Sequence, residues 1–229
     1  KERQKVAKIE EQWIDIGAQS KEEALEKVTV GDPITFEVGF EPLLGTRVAG
    51  KGFDDKVGVF VVGEVLRSLE KDKLHCAVYG VSTVQEELGL RGARTSAFGV
   101  APQIGIAIDV TFASDCPDID KRKVGEIALG KGPVISRGPN INPHIWQKIV
   151  GIAKEKGIPY QVQAESRATG TDANAIQITR EGVATGLVSI PNRYMHTPGE
   201  IVDLEDLEHT VKLLVLFLQS LQENEEWIP

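Results

Sequence analysis

The 229 residues can hold one fairly large domain, or a domain and a piece of another, and the 41% hydrophobic content is that of an ordinary globular chain. A net charge of −8 withholds the basic footprint that nucleic-acid binding requires, and charges or glycines interrupt every apolar run before it reaches the length of a membrane span. Cys76 and Cys116 form no CxxC pair and the first residues are charged without an apolar signal core, so both read as thiols of a cytoplasmic protein.

In chain order, residues 13–16 and 34–40 are short, β-prone and bounded by Gly17, Gly31 and Gly39, which predicts two strands. Between them Ser20 and Glu23 stand at capping-box spacing and predict a short helix over 21–27. This section, residues 1–47, reads as part of a small β-rich module too short to bury a core by itself. From Val48 onward strands and helices alternate. The periodicity predicts a helix over 57–69 and buried strands over 74–81 (LHCAVYGV) and 103–110 (QIGIAIDV). Asn142 caps a helix with Pro143 at its first position, running to Lys156 and ended by Gly157. A strand over 160–164, a helix over 172–180 and a strand over 183–190 follow. Asp203 caps a last helix whose apolar face is marked by Leu204, Leu207, Val211, Leu214, Leu218 and Leu221. Such alternation predicts an α/β fold, a three-layer sandwich around a largely parallel mixed sheet over 48–229.

Functional side chains of such sheets gather where strands end and loops begin. Asp54 and Asp55 stand before a helix, Glu86 and Glu87 follow the strand at 74–81, Asp109 closes the next strand, and His196 follows the strand at 183–190. These oxygen and imidazole donors suit zinc, cobalt or manganese. Each has a plainer reading: helix capping for Asp54 and Asp55, a solvated turn for the glutamates, a surface or structural His for His196. Asp109 is the exception, because an acid within an apolar strand needs a partner or a metal. GKGPVISRGPNINP (130–143) lacks the order of a phosphate-binding loop.

Five segments resemble metallopeptidase family forty-two, which contains the tetrahedral and glutamyl aminopeptidases and has members catalogued as endoglucanase or cellulase M. They are GKGFDDKVG (50–58), VSTVQEELGLRGA (81–93), AIDV (107–110), GTDANAI (170–176) and MHTPGEIVDLEDL (195–207), in the family's order. The resemblance implies two divalent metal ions, zinc or cobalt, bridged by the Asp54 carboxylate, and a cis Asp54–Asp55 peptide bond. Glu87 and His196 would complete one ion and Asp109 would hold the other. Asp55 would orient the site, and Glu86 would be the general base toward water held by the metals. Arg137, Thr171 and Asp172 would lie on the substrate side, although Thr171 and Asp172 equally suit a helix N-cap. It further implies short peptide substrates and a homo-oligomer of dimers built into a hollow particle. Residues 1–47 resemble the second half of the family's inserted assembly module, and no HxD-type His precedes them. The catalytic domain is therefore expected to lack its N-terminal strands, and the ion at Asp109 one ligand. A glycoside hydrolase, which works with two carboxylates and no metal, and a catalytically incomplete oligomeric scaffold remain the competing readings.

Overall fold

A computed structural model describes residue 6 and residues 8–117 and 119–227. It divides into two compact units, Lys1–Glu37 and Val38–Pro229.

The first unit holds a 3-10 turn at Ile9–Glu11 and one short helix, α1 (Lys21–Leu25). Ser20 Oγ accepts from Glu23 N at 3.1 Å, as its capping position requires. The Glu23 carboxylate, however, takes the N–H of Gln19 at 2.8 Å rather than that of Ser20, so the box closes one residue early. The strands expected at 13–16 and 34–40 do not form. A strand exists only through a partner's ladder, and here Trp13, Ile14, Ile34 and Phe36 are exposed and none is assigned to a strand. No β-barrel module is built by the described residues.

The second unit has two sheets. β1 (Glu41–Pro42), β2 (Arg47–Gly50) and β7 (Glu200–Asp203) form a small antiparallel sheet in the order β1-β2-β7. The main sheet has the order β3-β6-β4-β5 and comprises β3 (Ile104–Phe112), β4 (Val134–Arg137), β5 (Gln161–Ala164) and β6 (Ala184–Asn192). β3 runs parallel to β6 and β4 to β5, while β4 and β6 are antiparallel, which is the mixed sheet expected from the sequence. β6 is central and buried from Thr185 to Asn192. The helices α2 (Phe53–Ser68), α5 (Pro143–Lys156) and α7 (Leu204–Gln219) pack together on one face, and α3 (Arg91–Val100) and α6 (Asp172–Gln177) on the other. A short α4 (Lys121–Val124) lies in a connection.

Local chemistry explains the boundaries. Asn142 Oδ1 accepts from His144 N and Ile145 N, and Gly157 ends α5 in the left-handed conformation. α6 stops at Gln177, short of the predicted 180, where Thr179 Oγ1 takes the carbonyl of Ala175 at 2.9 Å. Residues 74–81 hold a bend at 75–76 and no assigned strand, and most are exposed, so the strand expected there is absent among the described residues. Their apolar pattern is right for a buried strand; the neighbour that would bury it is not among the described residues.

The buried face of α7 is rotated from the expected one. Leu207, Leu214 and Leu221 are buried as anticipated, but Leu204 is 44% exposed and the stripe passes through Asp206, Thr210, Leu213 and Phe217. An acid belongs there because Asp206 accepts from Gly130 N at 2.7 Å and Gly132 N at 2.6 Å. Burial pushes its carboxyl up to about 6, and the two amides oppose the rise. Asp206→Ala should therefore lower unfolding stability by about 3 kcal/mol, since two buried N–H groups lose a charged acceptor. Chemical denaturation checks this, and a midpoint unchanged from the parent would refute it.

Candidate metal centre and active site

After β2 the chain turns at Gly52, in the left-handed region at φ 66°, and enters α2. The first turn of α2 is not helical at Asp54 (φ −80°, ψ 105°) or Asp55 (φ −120°, ψ 48°), and the Asp54–Asp55 peptide is cis, as the family resemblance implied. The break redirects the Asp54 N–H to Glu200 Oε2 at 3.2 Å. Glu200 is 2% exposed at the start of β7, and its Oε1 accepts from Asn192 Nδ2 at 3.1 Å. Asp55 Oδ1 accepts from Gly58 N at 3.1 Å. Glycine at 58 leaves room for that contact, because a Cβ there would run into the Asp55 carboxylate and displace it.

Glu86 and Glu87 sit in a tight turn. Gln85 is left-handed at φ 58°, and Gly89 N and Leu90 N both donate to the Glu86 carbonyl, at 2.9 and 2.8 Å. His196, also left-handed at φ 63°, follows β6 with its ring edge-on to Phe112 at 5.8 Å between centroids. Its Nε2 lies 3.2 Å from Asp54 Oδ2 and 3.8 Å from Glu87 Oε1. Asp54, Glu87 and His196 thus offer three ligand atoms that all lie within 4.8 Å of one another. Asp109 lies within β3 and does not join that group; its Oδ1 accepts from Val110 N at 2.7 Å. Asp172, the first residue of α6, accepts from Thr83 Oγ1 at 2.6 Å through Oδ2, while its buried Oδ1 has no partner among the described residues.

Burial is the first cause of every raised carboxyl in this group. Asp54 is pushed up to about 6, by burial and then by Glu87, with His196 pulling the other way. Glu86 and Asp109 are each pushed up to about 7; Glu87 adds to the first, whereas the Val110 amide restrains the second and Glu86 raises it. Asp55 rises to about 9 through burial and Asp109, and Asp172 also rises, with Thr83 opposing. Two or more desolvated carboxylates facing an imidazole, with a buried carboxylate oxygen left unbonded nearby, are what a divalent cation would satisfy. The residues fit such an ion.

Asp54, Asp55, Glu86, Glu87, Asp109 and Asp172 line one cavity, and His196 joins it through Asp54 and Glu87. Arg137 and Thr171 do not line it. Arg137 lies over the Trp146 ring at 4.7 Å, and Thr171 Oγ1 is 2.9 Å from Thr169 Oγ1. The residues missed from sequence are Glu200 and Asn192. Glu200 lies inside the quoted MHTPGEIVDLEDL segment, and a lone acid opening an apolar strand was the available signal.

Clustered acids and an imidazole thus stand together on the frame of a mixed α/β sheet. The chain belongs to the M42 glutamyl aminopeptidase family, whose sequence profile matches residues 1–213. It is 45% identical over 210 residues to the lysyl aminopeptidase of Pyrococcus furiosus, a match covering 91% of this chain and 59% of that protein. An aminopeptidase structure from Desulfurococcus kamchatkensis superposes with a TM-score of 0.87 at 44% identity, covering 95% of this chain and 61% of that one. The Pyrococcus horikoshii TET1 peptidase, described as assembling into a tetrahedron or a large octahedral shell, gives a TM-score of 0.78 at 36% identity. That match covers 90% of this chain and 60% of the other. The chain therefore spans about three fifths of the length of these relatives.

Glu200 holds the Asp54 backbone, so Glu200→Ala should weaken divalent-metal binding about ten- to a hundredfold. Glu200→Gln should bind nearly as the parent does. Its carbonyl still accepts from Asp54 N, and its amide meets Asn192, whose Oδ1 now lacks a partner. Zinc titration by calorimetry tests both; equal losses in the two variants would show that charge, not placement, is what Glu200 supplies.

Proposed function

We propose that this chain carries the catalytic site of a metal-dependent aminopeptidase that removes N-terminal residues from short peptides. The observation carrying this reading is the convergence of Asp54, Glu87 and His196 beside Glu86 in one acidic mouth. Asp54, Glu87 and His196 would hold one divalent ion, zinc or cobalt, and Asp54 with Asp109 a second. Bound there, the ions would polarise the scissile carbonyl and lower the pKa of the attacking water.

The chain's own groups do the rest. Glu86, on the turn that also presents Glu87, takes a proton from the attacking water and returns it to the nitrogen of the leaving amine. Asp55, clamped by Gly58 N–H, orients the first turn of α2. The acidic mouth favours a free amino terminus, the end an exopeptidase must recognise. Arg137 and Thr171 are retained as substrate-side candidates beyond the metal pocket, and Asp172 bounds the mouth through Thr83. By analogy with the Pyrococcus horikoshii peptidase, homo-oligomerisation is part of the reading. A glycosidase needs neither the imidazole nor the third carboxylate, so loss of activity with a chelator separates the two.

Glu86→Gln should leave zinc binding nearly unchanged but abolish hydrolysis of aminoacyl anilides, by about three orders of magnitude or more. That assay is made in a chain extended to the full length of the family. Metal loss that tracks the loss of activity would overturn the assignment of Glu86. In the 229-residue chain, Glu87→Gln and His196→Ala should each remove the tighter of two unequal zinc sites in titration. Two equally tight ions would mean that Asp109 has a ligand not identified above.

A further inference from the structure

His196 is carried by a loop with little burial of its own. Tyr194 and residues 197–199 are exposed, and the His196 side chain is 55% exposed. Tyr194 and His196 are both left-handed, at φ 60° and 63°. Within the loop Thr197 N donates to Tyr194 O at 3.1 Å and Thr197 Oγ1 to Gly199 O at 3.1 Å, and Met195 packs against the core. The direction of the loop is therefore set at its base, where Arg193 and Ile201 exchange backbone hydrogen bonds of 2.9 and 3.1 Å.

From that base the Arg193 side chain reaches the connection after β3. Its Nε donates to Asp115 Oδ1 at 2.8 Å and its Nη2 to Asp115 Oδ2 at 2.6 Å, with the two side chains only 18% and 23% exposed. Asp115 is itself fixed, because Leu129 N donates to its Oδ2 at 3.1 Å. Beside it Ser114 N donates to Ile127 O at 2.7 Å, and Ser114 Oγ accepts from Ile127 N at 3.0 Å. The same connection starts from Phe112, the ring to which His196 stands edge-on. β3 and β6 stay in parallel register up to Phe112 and Asn192, and Ala113 N extends the contact to Asn192 O at 2.9 Å. There the ladder ends. The Asp115–Arg193 fork carries the link past it, to a point three residues before the imidazole.

Two parallel bonds between a planar guanidinium and a carboxylate fix an orientation as well as a distance, which a single ammonium contact does not. We propose that Asp115 and Arg193 are a positioning pair for His196: by locking the base of its loop to the connection that carries Phe112, they set the imidazole beside Asp54 and Glu87. Neither side chain is a candidate ligand, and both act through the loop. The consequence for metal binding rests on the function proposed above; the placement of the imidazole does not.

The test uses the whole chain with Arg193→Lys, which keeps the charge and loses the fork, with Asp115→Asn, and with Arg122→Lys as the control. Arg122 makes the same two-pronged contact with Asp120, at 3.0 Å for each bond, at the exposed start of α4. Without metal, the ring protons of His196 and Phe112 should show a nuclear Overhauser effect in the parent and in Arg122→Lys. That effect should be lost in Arg193→Lys and Asp115→Asn, while the amides of β3 and β6 keep their parental protection from exchange. In zinc titration the tighter site should weaken by about tenfold or more in the same two variants and stay unchanged in the control, as when a group that orients a ligand is removed. Should Asp115→Asn fail to fold, Arg193→Lys alone decides. The proposal is overturned if the Overhauser effect is absent from the parent or keeps its full strength in Arg193→Lys. Parental zinc affinity in Arg193→Lys overturns it too, as does loss of the effect together with the protection of β3 and β6, which would make the pair a fold contact alone. A parent chain that binds no zinc would refute the metal reading and leave the placement of His196 to be decided by the Overhauser effect.

Discussion

Carboxylates that burial has stripped of water govern this molecule. Asp54, Asp55, Glu86, Asp109 and Asp172 all sit above the ordinary carboxylate range, and in each case burial is the largest cause, with neighbouring acids adding for the first four. Two like charges about 4 Å apart repel by about 4 kcal/mol at the effective dielectric of a protein surface. A chain that gathers several of them relieves the repulsion by protonation or by a cation. Peptide amides at Gly58 and Val110 and the His196 ring relieve it in part. The unbonded Asp172 Oδ1 shows that the relief is incomplete.

Holding such groups together takes backbone that an ordinary helix or strand does not provide. Gln85 and Leu90 flank Glu86 and Glu87 in the left-handed region, and Tyr194 and His196 occupy it after β6. Each such non-glycine residue costs roughly 1 kcal/mol, so their concentration beside the three candidate ligands is the mark of a site that the rest of the fold over-determines. Glu200 performs the matching task at Asp54. It reaches from β7 in the small antiparallel sheet to the first turn of α2, and Asn192 at the end of β6 holds its other oxygen. The two sheets thereby meet beside Asp54 through one buried acid.

How much of this the sequence disclosed follows from which forces are local. The ends of α5 were legible because Asn142, Pro143 and Gly157 act within one turn of themselves. The long strands β3 and β6 were legible because a nine-residue apolar run has few alternatives. Asp109 stood out as an acid inside such a run. The face of α7 was misjudged because residues 213–218 are apolar all round and the distant amides of Gly130 and Gly132 turn Asp206 inward. Glu200 was passed over for the same reason, since its partners lie 146 and 8 positions away in the chain. Residues 13–16, 34–40 and 74–81 have strand composition but form no strand among the described residues, and composition alone cannot report whether a ladder will form.

The last of those segments ties the sheet to the chemistry. Residues 77–82 lead into Thr83, which bonds Asp172, and then into Glu86 and Glu87; β3 carries Asp109. The cavity is therefore bounded by the two stretches of chain that deliver the acids, and its mouth is the acidic mouth. Asp54, Glu87 and His196 bring a mixed oxygen and nitrogen set to one position, whereas Asp109 has only carboxylates for neighbours among the candidate ligands.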